Sequence, residues 1–284
     1  MPTQCRRRFI AGLGSAALLA VVGNLASPAA ARAAGSSSLP IVDMEAVLKA
    51  AQWDPQKIGS GITLGSGPSV LLVERALQAE GLLKASLVDG HYGTSTVAAY
   101  VGWQHRLGYS GLGANGLPGE ASLTRLAAGR FTVTSVVRPG GRVAFGGHLT
   151  DARAAAMLRE VQSVTGLTMR VDQGSYSTSD PSSADTHAGG GAVDIGVDGW
   201  SAARRRTVTA ALRRVGFAAW LRSPTEGPWP WHIHAVAISD PDLSPPAQAQ
   251  VGHYFRGRNG LRDDGPDTGP IVEKVSWEEY LRRR

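Results

Sequence analysis

The chain has 284 residues, with 29 lysines and arginines against 23 acids, seven histidines and a single cysteine. That length allows roughly two domains with a sizeable core. Residues 1–33 hold four arginines and no acids, so the remainder carries 25 basic against 23 acidic residues, a net charge of +2. Charge therefore gives no reason to expect a nucleic-acid partner. With Cys5 alone, neither an intrachain disulfide nor a thiolate metal site can form.

The first segment, 1–33, reads as a secretory signal. Arg6, Arg7 and Arg8 precede Phe9 and Ile10, an apolar stretch runs from Ala11 to Leu25, and small residues end near Ala31-Arg32-Ala33. The arginine pair followed by x-Phe-Ile resembles a bacterial twin-arginine signal, although Cys5 stands where Ser or Thr is usual. A single membrane anchor is the alternative. The stretch is short and broken by glycine, so the expectation is an exported chain with no stable membrane span after cleavage.

Residues 34–40 are Gly/Ser-rich and read as a linker. From 41 to 130 the pattern is helical. Ser69 is placed to cap a helix burying Val73, Ala76 and Leu77, and Thr94 or Ser95 to cap a second carrying Val97, Tyr100, Val101 and Leu107. A third short helix puts Leu123 and Leu126 on one face, which makes a small three-helix bundle. From 131 to 284 helices and strands alternate. Thr150 is expected to cap a helix with Ala154, Met157, Leu158, Val161 and Val164 at helical spacing. Strands follow at 167–172 and around Ala192–Val197, then a helix opened by Ser201, then strands at 217–221 and 232–238. The tail from Ser244 is partly helical. The fold class is α+β, with an antiparallel sheet in the second region.

The chemistry concentrates in THAGGGAVDI (186–195) and WPWHIHAV (229–236). His187, Asp194 and His234 supply three candidate ligands for one zinc ion. Structural zinc sites usually close with four protein ligands and catalytic ones keep three plus an open position, so a cysteine-free set of three points toward chemistry. His232 and His234 are two apart on a strand and share a face. Trp220, Trp229 and Trp231 either wall the site or belong to the core. Five arginines, Arg204, Arg205, Arg206, Arg213 and Arg214, crowd one helix and are expected to form a solvated face.

Two resemblances attach to these motifs. The sequences ALQAEGLL, VDGHYGTSTVAAYVGWQ and ANGLPGEASLTRL, in that order, resemble the peptidoglycan-binding domain of bacterial wall enzymes. The histidine, six residues, aspartate and distant strand histidine resemble the zinc D-alanyl-D-alanine carboxypeptidase and endolysin family. The resemblance implies His187, Asp194 and His234 as zinc ligands, and His232 either as a donor to the oxyanion formed at a peptide carbonyl or as a packed, orienting residue.

The chain departs from the family's pattern twice. Trp231 stands where relatives have the acidic general base, and an indole cannot accept that proton. Glu226, five residues earlier, is the substitute candidate for the catalytic base, and Trp231 becomes a candidate substrate contact. Tyr176 stands where relatives often carry a substrate-holding arginine, so it is a candidate substrate-binding residue without the positive charge. The expectation is a secreted, cell-wall-associated monomer whose partner is peptidoglycan, with a zinc peptidase acting on stem peptides or cross-links. The alternative is a non-catalytic peptidoglycan-binding protein that retains a zinc site.

Overall fold

The computed structural model describes residues 38–57, 61 and 63–284; the expected signal segment, 1–33, lies outside them. Leu39–Arg284 form one compact unit. In chain order it contains β1 (Ile41–Asp43), α1 (Met44–Trp53), α2 (Gly67–Ala79), α3 (Thr94–Arg106), α4 (Glu120–Ala127) and β2 (Thr132–Thr134). There follow β3 (Arg142–Phe145), β4 (His148–Asp151), α5 (Ala152–Thr165), β5 (Val171–Gln173), β6 (Ala192–Gly196), α6 (Ala202–Val215), β7 (Phe217–Arg222), β8 (His232–Ala237), α7 (Pro245–Phe255) and α8 (Trp277–Arg282). The class is α+β. No helix among the described residues is long and apolar enough to cross a membrane.

The three expected helices of the first region are present, preceded by α1, and they bury Val47, Leu48, Val73, Leu77, Tyr100, Leu123 and Leu126 together. Three caps fall elsewhere than expected. Helix α3 opens at Gly93, with Thr94 and Ser95 already inside its first turn and no side-chain cap hydrogen bond. Helix α2 opens at Ser66, with Pro68 in its first turn, where the missing N–H costs nothing. Ser69 lies inside that helix and its hydroxyl accepts from the Asp43 N–H at 3.0 Å. Helix α5 is capped by Asp151, one residue after Thr150. One Asp151 oxygen accepts from Ala154 N–H and the other from Gly191 N–H, both at 2.7 Å. A single carboxylate thus ties the helix start to the glycine turn before β6. Val164, at helical spacing with the apolar residues of α5, is 56% exposed.

The four-stranded sheet runs β5-β6-β8-β7 and every pairing is antiparallel. The expected first strand is shorter than 167–172. Met169 N–H donates to the Gln162 side chain at 2.9 Å, so a side chain replaces a ladder partner there. In register across the sheet, Ala192, Val236 and Ala218 form one row, Asp194, His234 and Trp220 the next, and Gly196, His232 and Arg222 the third. Directly opposed residues share a face, so all nine belong to one side. The alternate residues, among them Val193, Ile195, Ile233, Ala235 and Ala219, bury against α5 and α6 in a separate core.

The first side of the sheet joins the helical region's core through Ala192, Ala218, Trp220 and Val236, with Val251 and Tyr254 of α7 between them. Polar side chains of the helical region also grip the loop after β8. Gln52 accepts from Ser239 N–H at 2.9 Å, and the Asn115 amide donates to the carbonyls of Pro241 and Leu243 at 2.8 and 3.0 Å. That loop lies against the glycine turn: a Cβ on Gly189 would collide with the Asp242 carbonyl and the Ser244 nitrogen, and Gly191 has φ of +72°. Close approach, as much as turn geometry, requires glycine here.

Not all of the expected solvated arginine face of α6 is solvated. Arg204, Arg206 and Arg214 are exposed. Arg213 is buried and donates to the Ala219 and Pro270 carbonyls and to Asp267, at 2.8, 2.6 and 2.8 Å. It fastens the C-terminal loop to the sheet.

Candidate metal centre

The second row of the sheet places Asp194 and His234 side by side, and the glycine turn brings His187 over them. Their ligand atoms all lie within 4.8 Å of one another, a group that could hold a metal ion. His187 Nε2 is 3.4 Å and His234 Nδ1 2.8 Å from Asp194 Oδ1. Tetrahedral bonds of about 2.0–2.1 Å separate ligand atoms by roughly 3.3 Å, so the set is close to closing on an ion without rearranging the backbone.

The outward hydrogen bonds fix which nitrogens face inward. His187 Nδ1 lies 3.1 Å from the Gly174 carbonyl, which can only accept, so Nδ1 carries the proton and Nε2 presents a lone pair. That buried Nε2 has no hydrogen-bond partner. Gln250 of α7 donates its amide N–H to the Gly260 carbonyl at 3.1 Å, which turns its oxygen to His234 Nε2 at 2.8 Å. His234 Nδ1 is then also bare. Two lone pairs and a carboxylate oxygen therefore converge with no proton assigned between them. Such a set repels itself unless a cation sits at its centre, and the donor chemistry fits one.

Electrostatics agree. Burial pushes the Asp194 carboxyl up, but His187 and His234 more than offset it and hold the group well below the usual carboxylate range. That lowering requires imidazole protons turned toward the carboxylate; with the protons on the outward side, a bound cation would have to supply it instead. Burial pulls His234 below its ordinary value, against the attraction of Asp194, which keeps the ring neutral and free to ligate.

Gln250 is a residue that sequence reasoning missed. It would act on a bound metal only through His234. Gln250→Leu should leave the fold intact and weaken metal binding by about 10- to 100-fold, as loss of an orienting partner typically does; competition with a chromophoric chelator measures this.

His232 lies in the neighbouring row. Its Nδ1 is 2.9 Å from the Pro230 carbonyl, so Nε2 is bare in the neutral ring and faces the centre, 3.9 Å from Asp194 Oδ1. The cleft around these groups is also lined by Trp229, Gln250 and Arg222. Trp229 meets His232 edge-on at 6.0 Å between ring centroids, and Trp220 stacks on His234 at 6.2 Å.

Three expected site residues are placed elsewhere. Trp231 alternates to the other side of β8, packs against the α5–α6 core and lies under the Arg205 guanidinium at 4.1 Å. Glu226 is exposed, accepts from the Ser223 N–H at 2.7 Å, and lines a neighbouring groove with Trp231. Tyr176 has φ of +58° and its hydroxyl donates to Asp242 at 3.1 Å, with Arg142 stacked 4.0 Å over its ring. Burial first, then the nearby Asp242, pushes that hydroxyl far above its ordinary value. None of the three lines the metal cleft.

The fold and the site define an α+β chain with a candidate His/Asp/His metal centre. Compared with family models, curated proteins and solved structures, the chain finds no match in any of the three.

Proposed function

We propose that this chain is an exported zinc-dependent peptidase of the D-alanyl-D-alanine carboxypeptidase and endolysin type, with its helical region binding peptidoglycan. The observation that carries the reading is the convergence of His187 Nε2, His234 Nδ1 and Asp194 Oδ1, each turned inward by its partners, at the wall of an open cleft. Nitrogen and carboxylate donors without sulfur, three in number, suit zinc in a catalytic setting. Zinc held there supplies a Lewis acid and makes a water more acidic.

The chain's own residues divide the remaining work. His232 Nε2, bare and facing the centre, takes the proton from the attacking water. Once charged, the same ring donates that proton as a hydrogen bond to the developing oxyanion, or passes it to the leaving amine. This removes the need for an acid at position 231. Trp229 covers one side of the cleft and limits water access. Resemblance and geometry support the reading jointly, since the residues that carry the first are those the second brings together.

The position of Trp231 and the exposure of Glu226 favour one rival, a peptidoglycan-binding protein whose zinc does no chemistry. Incubating the zinc-loaded chain with sacculi and with acetyl-D-alanyl-D-alanine separates them. Release of D-alanine or of new peptide ends supports the peptidase. Binding to sacculi with full zinc content and no new ends supports the rival.

A further inference from the structure

Three arginines of the second region are buried, and two of them are fully engaged. Arg153 binds Glu278 through two nitrogens and the Ile238 carbonyl, and Arg213 binds two carbonyls and Asp267. Arg222 is different. It is 3% exposed, yet its Nη2 is buried without a hydrogen-bond partner among the described residues. The Trp220 ring lies 5.3 Å from its guanidinium, and Glu226, Asp194, Asp267 and Asp263 attract it only at longer range.

A buried guanidinium with an open donor is costly unless something anionic completes it. Arg222 lines both the metal cleft and the neighbouring groove, and the groove already holds the acids Glu226, Asp263 and Asp267, which leaves the metal cleft as the place for an anion. Arg222 stands directly opposite His232, on the side that carries Asp194 and His234, and it lines the metal cleft. Its forked donors match a carboxylate, which they bind through two parallel hydrogen bonds. The cleft is about 150 Å³, below the roughly 300–1,000 Å³ of sites for drug-sized ligands, so one small residue is enough to fill it.

We propose that Arg222 is the anion-binding group of the metal cleft and takes the terminal α-carboxylate of a peptide, so that the chain trims peptide ends and does not cut cross-links. The assignment rests on the peptidase reading for its choice of ligand. Arg222 grips the carboxylate of the last residue, and the preceding peptide carbonyl falls between the metal ligands and His232. A mid-chain peptide bond offers Arg222 no charge and leaves its fork unpaired.

The test compares acetyl-D-alanyl-D-alanine with its C-terminal carboxamide on the zinc-loaded chain. Binding is measured by calorimetry, and D-alanine release is measured in parallel. Acetate at equal concentration serves as a control for a free small carboxylate. The acid should bind roughly 10- to 100-fold more tightly than the amide, the range expected for a charge-assisted pair. Where it is turned over, kcat/KM should show the same preference. Arg222→Gln should bring acid and amide to within about threefold of each other, with zinc content unchanged. Arg222→Lys should keep part of the preference. Should Arg222→Gln fail to hold zinc, Arg222→Lys decides, with a loss of several-fold expected for the acid alone.

Equal affinity for acid and amide, no binding of the acid, displacement of the acid by equal acetate, or a preference that survives Arg222→Gln each overturns the assignment. A preference that depends on Arg222 without any D-alanine released would sustain Arg222 as the carboxylate-binding group and overturn both the trimming of peptide ends and the peptidase reading.

Discussion

His232→Gln should lower kcat on a D-alanyl-D-alanine peptide by about 10²- to 10⁴-fold, the usual contribution of a positioned proton acceptor, while zinc content stays at the wild-type level. The reason is geometric. His232 Nδ1 is committed to the Pro230 carbonyl at 2.9 Å, which leaves Nε2 as the basic atom facing the centre. Glutamine can fill that space and accept a hydrogen bond, but it cannot take up the proton. Glu226→Gln should stay within about threefold of wild type, because that carboxylate is exposed and occupied by the Ser223 N–H. A large loss in Glu226→Gln with a mild one in His232→Gln would reverse the assignment.

The second large effect concerns the metal. His187→Ala and Asp194→Asn should each weaken zinc binding by more than about 100-fold, beyond what is typical of groups that only orient a ligand. Proton competition gives the same site a pH signature. Burial holds His234 below its ordinary value of about 6.5, and Asp194 sits well below the usual carboxylate range, so both are ready to ligate at neutral pH. Zinc affinity should be nearly flat above about pH 7 and fall as the pH drops below about 6.5, where protons compete for the imidazoles. The sign for folding is the same. A group whose folded-state value lies below its unfolded value takes its proton more readily in the unfolded chain, so acid below about pH 6.5 disfavours the native state through His234. Chelator competition between pH 5 and 8 measures the binding side. An affinity independent of pH across that interval would mean that histidines are not the ligands.

The candidate metal ligands were legible because two of them sit in one short run and the third in a strand with its own period-two signal. In the structure that alternation turns Trp231, expected as a substrate contact, to the opposite side of β8 from His232 and His234. The β3–β4 hairpin also left a trace in its Gly146-Gly147 pair, both with positive φ, a frequent two-residue turn between strands. Arg222, Gln250 and Trp229 were not readable in the same way. Arg222 becomes part of the site only through the register that pairs β7 with β8, and Gln250 only through the docking of α7. Both are tertiary facts with no local code. The displaced cap at Asp151 has a simpler cause: Thr150 and Asp151 are adjacent capping residues, and the second oxygen of Asp151 is decided by its contact with Gly191. At α2 the Ser69 hydroxyl is taken by the Asp43 N–H, a tertiary contact.

The grip of Gln52 and Asn115 on the loop beyond β8 means that the helical region they belong to is not carried on a leash. If the helical region holds the wall as proposed, anchor and blade are one casting. Such a molecule cannot sweep an area around its point of attachment, as an enzyme on a floppy tether does. It can reach only those stem peptides that present themselves at a fixed offset and angle from the gripped strand. Its yield on an intact wall would then be set by the local order of the polymer, and fragmenting that polymer should speed it.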